Sequence, residues 1–177
     1  MTRILVTGGV RSGKSAHAEA LIGACPGPVT YVAAGPAYDD ADWAARIARH
    51  RATRPAEWTT VETGDVAGAI GAAPGPVIVD CLGTWLQGVL DAADLWEAPV
   101  EEAERVVGER TSALVEALAA AGADAEVVLV TNEVGLGVVP DHRSGRLFRD
   151  LLGTVNQRVG AACDRVHLVV AGRVLEL

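Results

Sequence analysis

The octapeptide GGVRSGKS at residues 8–15 constrains the fold more than any other stretch of the chain. It satisfies the spacing G-x-x-x-x-G-K-[ST], and its flanks are the ones that motif requires. The apolar run Arg3 to Thr7 precedes it as a strand, and Lys14 to Ile22 follows it with a helical pattern. Glycine is needed because the backbone must turn and bring its N–H groups against phosphate oxygens. The N-terminus of the following helix adds a field that favours anions. Gly8, Gly9, Val10, Arg11, Ser12 and Gly13 supply the cradle. Lys14 is placed to reach the β- and γ-phosphates, and the Ser15 hydroxyl to ligate Mg²⁺. Of fifteen basic residues, fourteen are arginine, and the one lysine is Lys14. The alternative is a chance glycine-rich turn in a chain biased toward Ala, Gly, Val and Arg.

The strand–helix alternation continues along the chain. Strands are expected at Val29 to Ala33, Thr59 to Glu62, Pro76 to Asp80, Glu126 to Thr131, Arg165 to Ala171 and Arg173 to Leu177. Helices are expected at Asp39 to Arg51, Val66 to Ala72, Leu82 to Leu90, Pro99 to Ala121 and Ser144 to Ala162. Alternation of this kind builds βαβ units and a mostly parallel sheet flanked by helices. The last two strands are separated only around Gly172, too little for a crossover helix, so they form an antiparallel edge hairpin. The stretch 91–99 is the expected exposed excursion.

Size and composition narrow the class. With 177 residues and half of them hydrophobic, the chain is expected to form one domain over 1–177, not a disordered segment. A formal net charge of -8 speaks against a general nucleic-acid binder. Cys25, Cys81 and Cys163 are too far apart for a disulfide framework or a structural zinc site, which fits a reducing cytoplasm. No stretch reads as a signal peptide or a membrane span.

A phosphate loop needs an acidic partner for the metal. Asp80 ends the apolar strand PVIVD, the position expected of a metal or nucleotide contact, although an Asp there can also be a helix cap. The segment RIARHRATRPAEW at 46–58 sets His50 among Arg46, Arg49, Arg51 and Arg54. Guanidinium groups match phosphate oxygens in bidentate fashion, and their charge disfavours an imidazolium. A neutral imidazole can attack an α-phosphate and expel pyrophosphate. A solvated helix face with an incidental histidine is the competing reading. His17, His142 and His167 lack such a setting, and His167 reads as structural. Trp43, Trp58, Trp85 and Trp96 read as packing residues. The segment NEVGLGVVP at 132–140 follows a strand, where ligands bind in such folds, and offers Asn132 and Glu133 for a second substrate or a metal.

Taken together, GGVRSGKS, ARIARHRATRPAEWTTVE at 45–62, VDCLGTWL at 79–86, TNEVGLGVVP at 131–140 and FRDLLGTVNQRVGAACDRVHLVVAG at 148–172 resemble the bifunctional adenosylcobinamide kinase/adenosylcobinamide-phosphate guanylyltransferase family of cobalamin biosynthesis. The resemblance implies a P-loop NTPase fold with a RecA-like core, and a homotrimer. It implies two reactions on a corrinoid substrate. GTP or ATP phosphorylates the aminopropanol hydroxyl, and GTP then donates GMP to that phosphate through a GMP-histidine intermediate. By resemblance the histidine is His50. Nucleotide contacts fall on residues 8–15, Ala34, Gly35, Pro36, Arg51, Ala52, Thr53, Arg54, Glu62 and Asp80, with Ser15 and Asp80 toward Mg²⁺. The sequence departs from the family where AAGPAYDD lacks a usual Thr and where Gly88 replaces a usual Asn. A P-loop kinase for another small hydroxyl substrate, without guanylyl transfer, and a non-catalytic nucleotide-dependent module remain the alternatives.

Overall fold

The computed structural model describes residues 2–35, 54–122 and 125–177. The expected helix Asp39 to Arg51 lies outside the described residues, as do Pro36, Trp43, His50, Arg51, Ala52 and Thr53. Seven strands form one sheet: β1 (Thr2–Thr7), β2 (Thr30–Ala33), β3 (Thr59–Glu62), β4 (Val77–Asp80), β5 (Glu126–Val130), β6 (Arg165–Val170) and β7 (Arg173–Glu176). Their order is β3-β2-β4-β5-β1-β6-β7. All neighbours are parallel except β6 and β7, which form the antiparallel hairpin expected from their spacing.

The described helices are α1 (Lys14–Gly23), α2 (Val66–Ala72), α3 (Leu82–Ala92), α4 (Val100–Ala120) and α5 (Arg143–Ala162). Strand alternation divides the core. Leu5, Val32, Val79, Val127 and Leu129 point to the side covered by α2 to α5. Ile4, Val6, Tyr31, Ile78, Val128 and Val130 point to the other side, where Ala18 and Ile22 of α1 pack. Both faces are covered, so the central strands are continuous apolar runs and not alternating ones.

Each long helix buries a stripe at helical spacing. In α4 it is Ala103, Val107, Thr111, Leu114 and Leu118. In α5 it is Leu147, Leu151, Leu152, Val155 and Val159. A fully buried Leu contributes about 1.5–3 kcal/mol of transfer free energy, so these stripes dock helices whose remaining surface is polar. Glu101 and Glu102 stand in the first turn of α4, where negative charge is favoured. None of the described helices is long and apolar enough to cross a membrane.

The excursion at 91–99 is exposed only in part. Leu95 is buried, and its N–H donates to the Leu90 carbonyl over 2.9 Å. Trp96 stacks on Phe148 of α5, and the Arg143 guanidinium donates to the Trp96 and Ala98 carbonyls. One buried leucine and one arginine thus hold this connection against the helices.

Candidate active site at the carboxyl ends of the strands

The loop after β1 has the shape its glycines allow. Gly13 has φ +98°, and a side chain on Gly8 would lie 2.4 Å from the Val169 carbonyl oxygen. That carbonyl belongs to β6, so the loop is folded against the neighbouring strand. The hairpin turn closes the contact: the Gly172 N–H donates to the Ser12 carbonyl over 2.8 Å. On the other flank the Glu133 N–H donates to the Gly8 carbonyl over 3.1 Å. The phosphate loop is therefore braced by the segments that follow β5 and β6.

Lys14 is buried, and its ammonium Nζ donates to the Gly9 carbonyl over 3.2 Å. A buried cation held by one loop carbonyl has donors left for an anion in the loop. Ser12 Oγ and Thr7 Oγ1 are buried without a hydrogen-bond partner among the described residues. Ser15 is half-buried on the first turn of α1, whereas Gly9, Val10 and Arg11 are exposed. The loop thus presents backbone N–H groups, one cation and hydroxyls at a helix N-terminus, which is an anion site.

Asp80 stands at the carboxyl end of β4, half-buried and on the α1 side of the sheet by alternation from Ile78. One strand, β5, separates it from β1. Two strand spacings amount to roughly 10 Å, which leaves room for phosphates and a hydrated cation between Asp80 and the loop. Asp80 is not a helix cap, because Cys81 and Thr84 form the capping box of α3. Its Oδ2 instead accepts from the Tyr31 hydroxyl at 2.8 Å.

Three further side chains gather around this pair. The Arg54 guanidinium lies 3.5 Å from the Tyr31 ring centroid, and its Nη1 donates to Thr60 Oγ1 over 3.3 Å. Tyr31 also stacks on Trp58. Glu19 of α1 is half-buried, and its carboxyl is shifted upward by burial first and by the charge of Asp80 second, with Arg54 opposing. Burial, helped by Asp80, raises the Tyr31 phenol as well, so it stays a hydrogen-bond donor.

The remaining expected residues lie farther along the same edge of the sheet. Ala34 is buried, and its N–H donates to the Asp80 carbonyl over 3.4 Å. Glu62 pairs in register with Ala33 at the end of β3, the far edge strand. Three strands separate β3 from β1, so Glu62 stands roughly 19 Å from the phosphate loop. A cavity of about 420 Å³ opens beside Ala34 and Gly35, between Gly64, Asp65, Trp85, Val89, Val106 and Arg110. Gly88, where the sequence departs from the family pattern, is part of its wall.

The other candidates make contacts with their surroundings. Glu133 Oε1 accepts from the Gly135 N–H at 2.6 Å, and the Asn132 carbonyl accepts from Asn156 Nδ2 at 3.0 Å. His167 is buried in β6, its Nδ1 is 2.9 Å from His17 Nε2, and His142 stands at the N-cap position of α5 without a side-chain cap bond. Trp85 is buried and donates to the Gly64 carbonyl.

Residues 4–177 match the family model described as cobinamide kinase / cobinamide phosphate guanyltransferase. The chain belongs to this family. It is 44% identical over 182 residues to the bifunctional adenosylcobalamin biosynthesis protein CobU of Salmonella typhimurium, covering 96% of each chain. The CobU protein of Escherichia coli is also 44% identical over 175 residues, and the CobP protein of Pseudomonas aeruginosa is 38% identical over 179. Fold comparison reaches further. The ATPase of a bacterial type III secretion system superposes with a TM-score of 0.58 at 12% identity, over 94% of this chain and 50% of that one. A Pyrococcus horikoshii OT3 protein superposes with a TM-score of 0.52 at 8% identity, over 99% of this chain and 85% of that one. The α/β P-loop NTPase fold expected from the sequence is the fold observed.

Within this family site, Tyr31 and Glu19 are the residues that sequence reasoning missed. Glu19 had a signal, since it lies four residues after Ser15 and so on the same face of α1. Tyr31 had none, because its partner Asp80 is 49 residues away.

Proposed function

We propose that the chain phosphorylates adenosylcobinamide with GTP or ATP and then transfers GMP from GTP to the product, giving adenosylcobinamide-GDP. The observation that carries the nucleotide half of this reading is the placement of Lys14 and Asp80 on the two sides of one gap. They stand at one edge of the sheet with one strand between them. The family match supplies the acceptor.

In the kinase step the aminopropanol oxygen attacks the γ-phosphorus, loses its proton and releases the nucleoside diphosphate. Positioning and charge neutralisation suffice, and residues 8–15 with Lys14 provide both. In the second reaction an imidazole nitrogen of His50 attacks the α-phosphorus of GTP, and pyrophosphate leaves. An oxygen of adenosylcobinamide phosphate then attacks the same phosphorus and frees His50. Arg51, Arg54 and the backbone of Ala52 and Thr53 hold the nucleotide for this step. Ala34, Gly35, Pro36 and Glu62 contact the nucleotide as well, and Ala34 and Gly35 border the cavity.

Mg²⁺ suits the donors present, since the Ser15 hydroxyl and the Asp80 carboxylate are hard oxygen ligands on the two sides of the gap. When bound it neutralises charge on the phosphates. One domain in the cytoplasm, assembled as a homotrimer, carries both reactions. The test is product analysis by mass spectrometry after incubation with adenosylcobinamide, GTP and Mg²⁺. Formation of the phosphate and then the GDP derivative supports the reading. The phosphate alone favours a kinase, and neither product removes it.

A further inference from the structure

Exposed apolar side chains are unevenly distributed over this molecule. Val134, Leu136, Val138 and Val139 share one short loop between β5 and α5, and Leu136 and Val138 are 86% and 94% exposed. Scattered exposed leucines need no explanation, but four such residues in one segment do.

The loop is held in place. Its start is bonded to the phosphate loop through the Glu133 N–H and the Gly8 carbonyl. The Gly135 carbonyl accepts from Arg149 Nη2 at 2.6 Å, and the Pro140 and Asp141 carbonyls accept from Arg146 Nη1 at 3.0 and 2.7 Å. The backbone is pinned at three points, and the apolar side chains between them stay in water. Val10, the most exposed residue type of this kind on the phosphate loop itself, adds to the same end of the sheet.

We infer that Leu136, Val138 and Val139, with Val134 and Val10, form the seat of the corrinoid macrocycle. This rests on the function proposed above. A nucleotide has no use for such a surface beside its triphosphate. The acceptor does: its hydroxyl arm must reach the phosphates above residues 8–15, so its ring must lie just outside that loop. The rim of a corrinoid carries methyl groups between its amide arms, and these give the ring apolar contact area. The 420 Å³ cavity suits a drug-sized ligand and is too small for this macrocycle. The loop tied to Gly8 is an apolar surface at the right place; Val170, Val174, Leu175 and Leu177 form a second exposed apolar set on the β6–β7 hairpin at the sheet edge.

The test is the double substitution Leu136→Ser and Val138→Ser in the full chain. Both side chains are exposed, so folding is preserved, and an unchanged melting temperature verifies it. KM for adenosylcobinamide in the kinase reaction rises about tenfold or more, as expected when two aliphatic contacts are removed. KM for GTP and labelling of the protein by GMP stay within about twofold. An unchanged KM for adenosylcobinamide overturns the inference. So does a change in assembly mass by light scattering, which would assign the loop to contact between copies of this chain. Turnover of adenosylcobinamide by the unaltered protein tests the parent reading separately, so the two failures are distinguishable.

Discussion

Lys14 and Asp80 flank the candidate site, and each makes one contact that shapes what its removal does. Lys14 leans on the Gly9 carbonyl, so the ammonium is stored inside the loop before any nucleotide arrives. Lys14→Ala removes a charge-assisted donor worth about 1.5–3 kcal/mol. Affinity for GTP falls about 10- to 100-fold, and both reactions decline with it. Isothermal titration with a non-hydrolysable GTP analogue measures this, and undiminished affinity would detach Lys14 from the phosphates. Asp80→Asn behaves differently. The amide oxygen still accepts from Tyr31, so the melting temperature barely moves, while the charge proposed to face Mg²⁺ is lost. Activity then requires several-fold more Mg²⁺. An unchanged Mg²⁺ titration would reduce Asp80 to a partner of Tyr31.

At the scale of elements, the phosphate loop depends on a hairpin far away in sequence. Gly8 lies against the Val169 carbonyl, and Gly172 is bonded to Ser12. A side chain at Gly8 meets a backbone oxygen 2.4 Å away, whereas one at Gly172 meets open space and only the strain of φ +74°. Gly172→Ala therefore costs about 1–2 kcal/mol, lowering Tm by roughly 2–8 °C. Gly8→Ala costs more than this and also weakens nucleotide binding, because the loop must leave β6. Thermal unfolding of the two variants checks the ranking, and equal shifts would contradict it. This coupling was not legible in the sequence. The described strands and helices were, because burial on both faces writes each central strand as an apolar run and each helix as a stripe of spacing three and four. The edge hairpin was legible from spacing alone. What pairs across the sheet was not. Tyr31 with Asp80, Arg54 with Tyr31 and His17 with His167 are contacts between elements that no local pattern announces. Leu95 was missed for the same reason: one apolar residue in a polar excursion carries no period.

The whole molecule has a pH response that follows from His17. Its imidazole is shifted downward, first by burial and second by His167. In the unfolded chain it takes up a proton near its ordinary value of 6.5. The folded state resists that proton, so stability is lost as pH falls below about 6.5. Glu19 acts with the opposite sign, since its raised carboxyl costs stability as pH climbs above its ordinary 4.5. His17→Asn keeps a polar partner for His167 and flattens the melting curve between pH 6.5 and about 5. Parallel curves for the two proteins would mean that the histidine pair plays no part. This measurement concerns the fold.

The central claim concerns chemistry: one chain with one phosphate loop runs two transfers, and only the second passes through the protein. Kinase transfer needs no protein nucleophile. Guanylyl transfer through a covalent intermediate needs a nucleophilic lone pair, which we assign to His50, and alanine has none. The most direct measurement is incubation with GTP labelled in its α-phosphate, followed by peptide mapping, for the unaltered protein and for His50→Ala. The account predicts acid-labile, base-stable label on the peptide containing His50, no label on the variant, and kinase activity that persists there at least in part. Label retained by His50→Ala would contradict the account and move the nucleophile elsewhere, with His17 on α1 the next histidine to test.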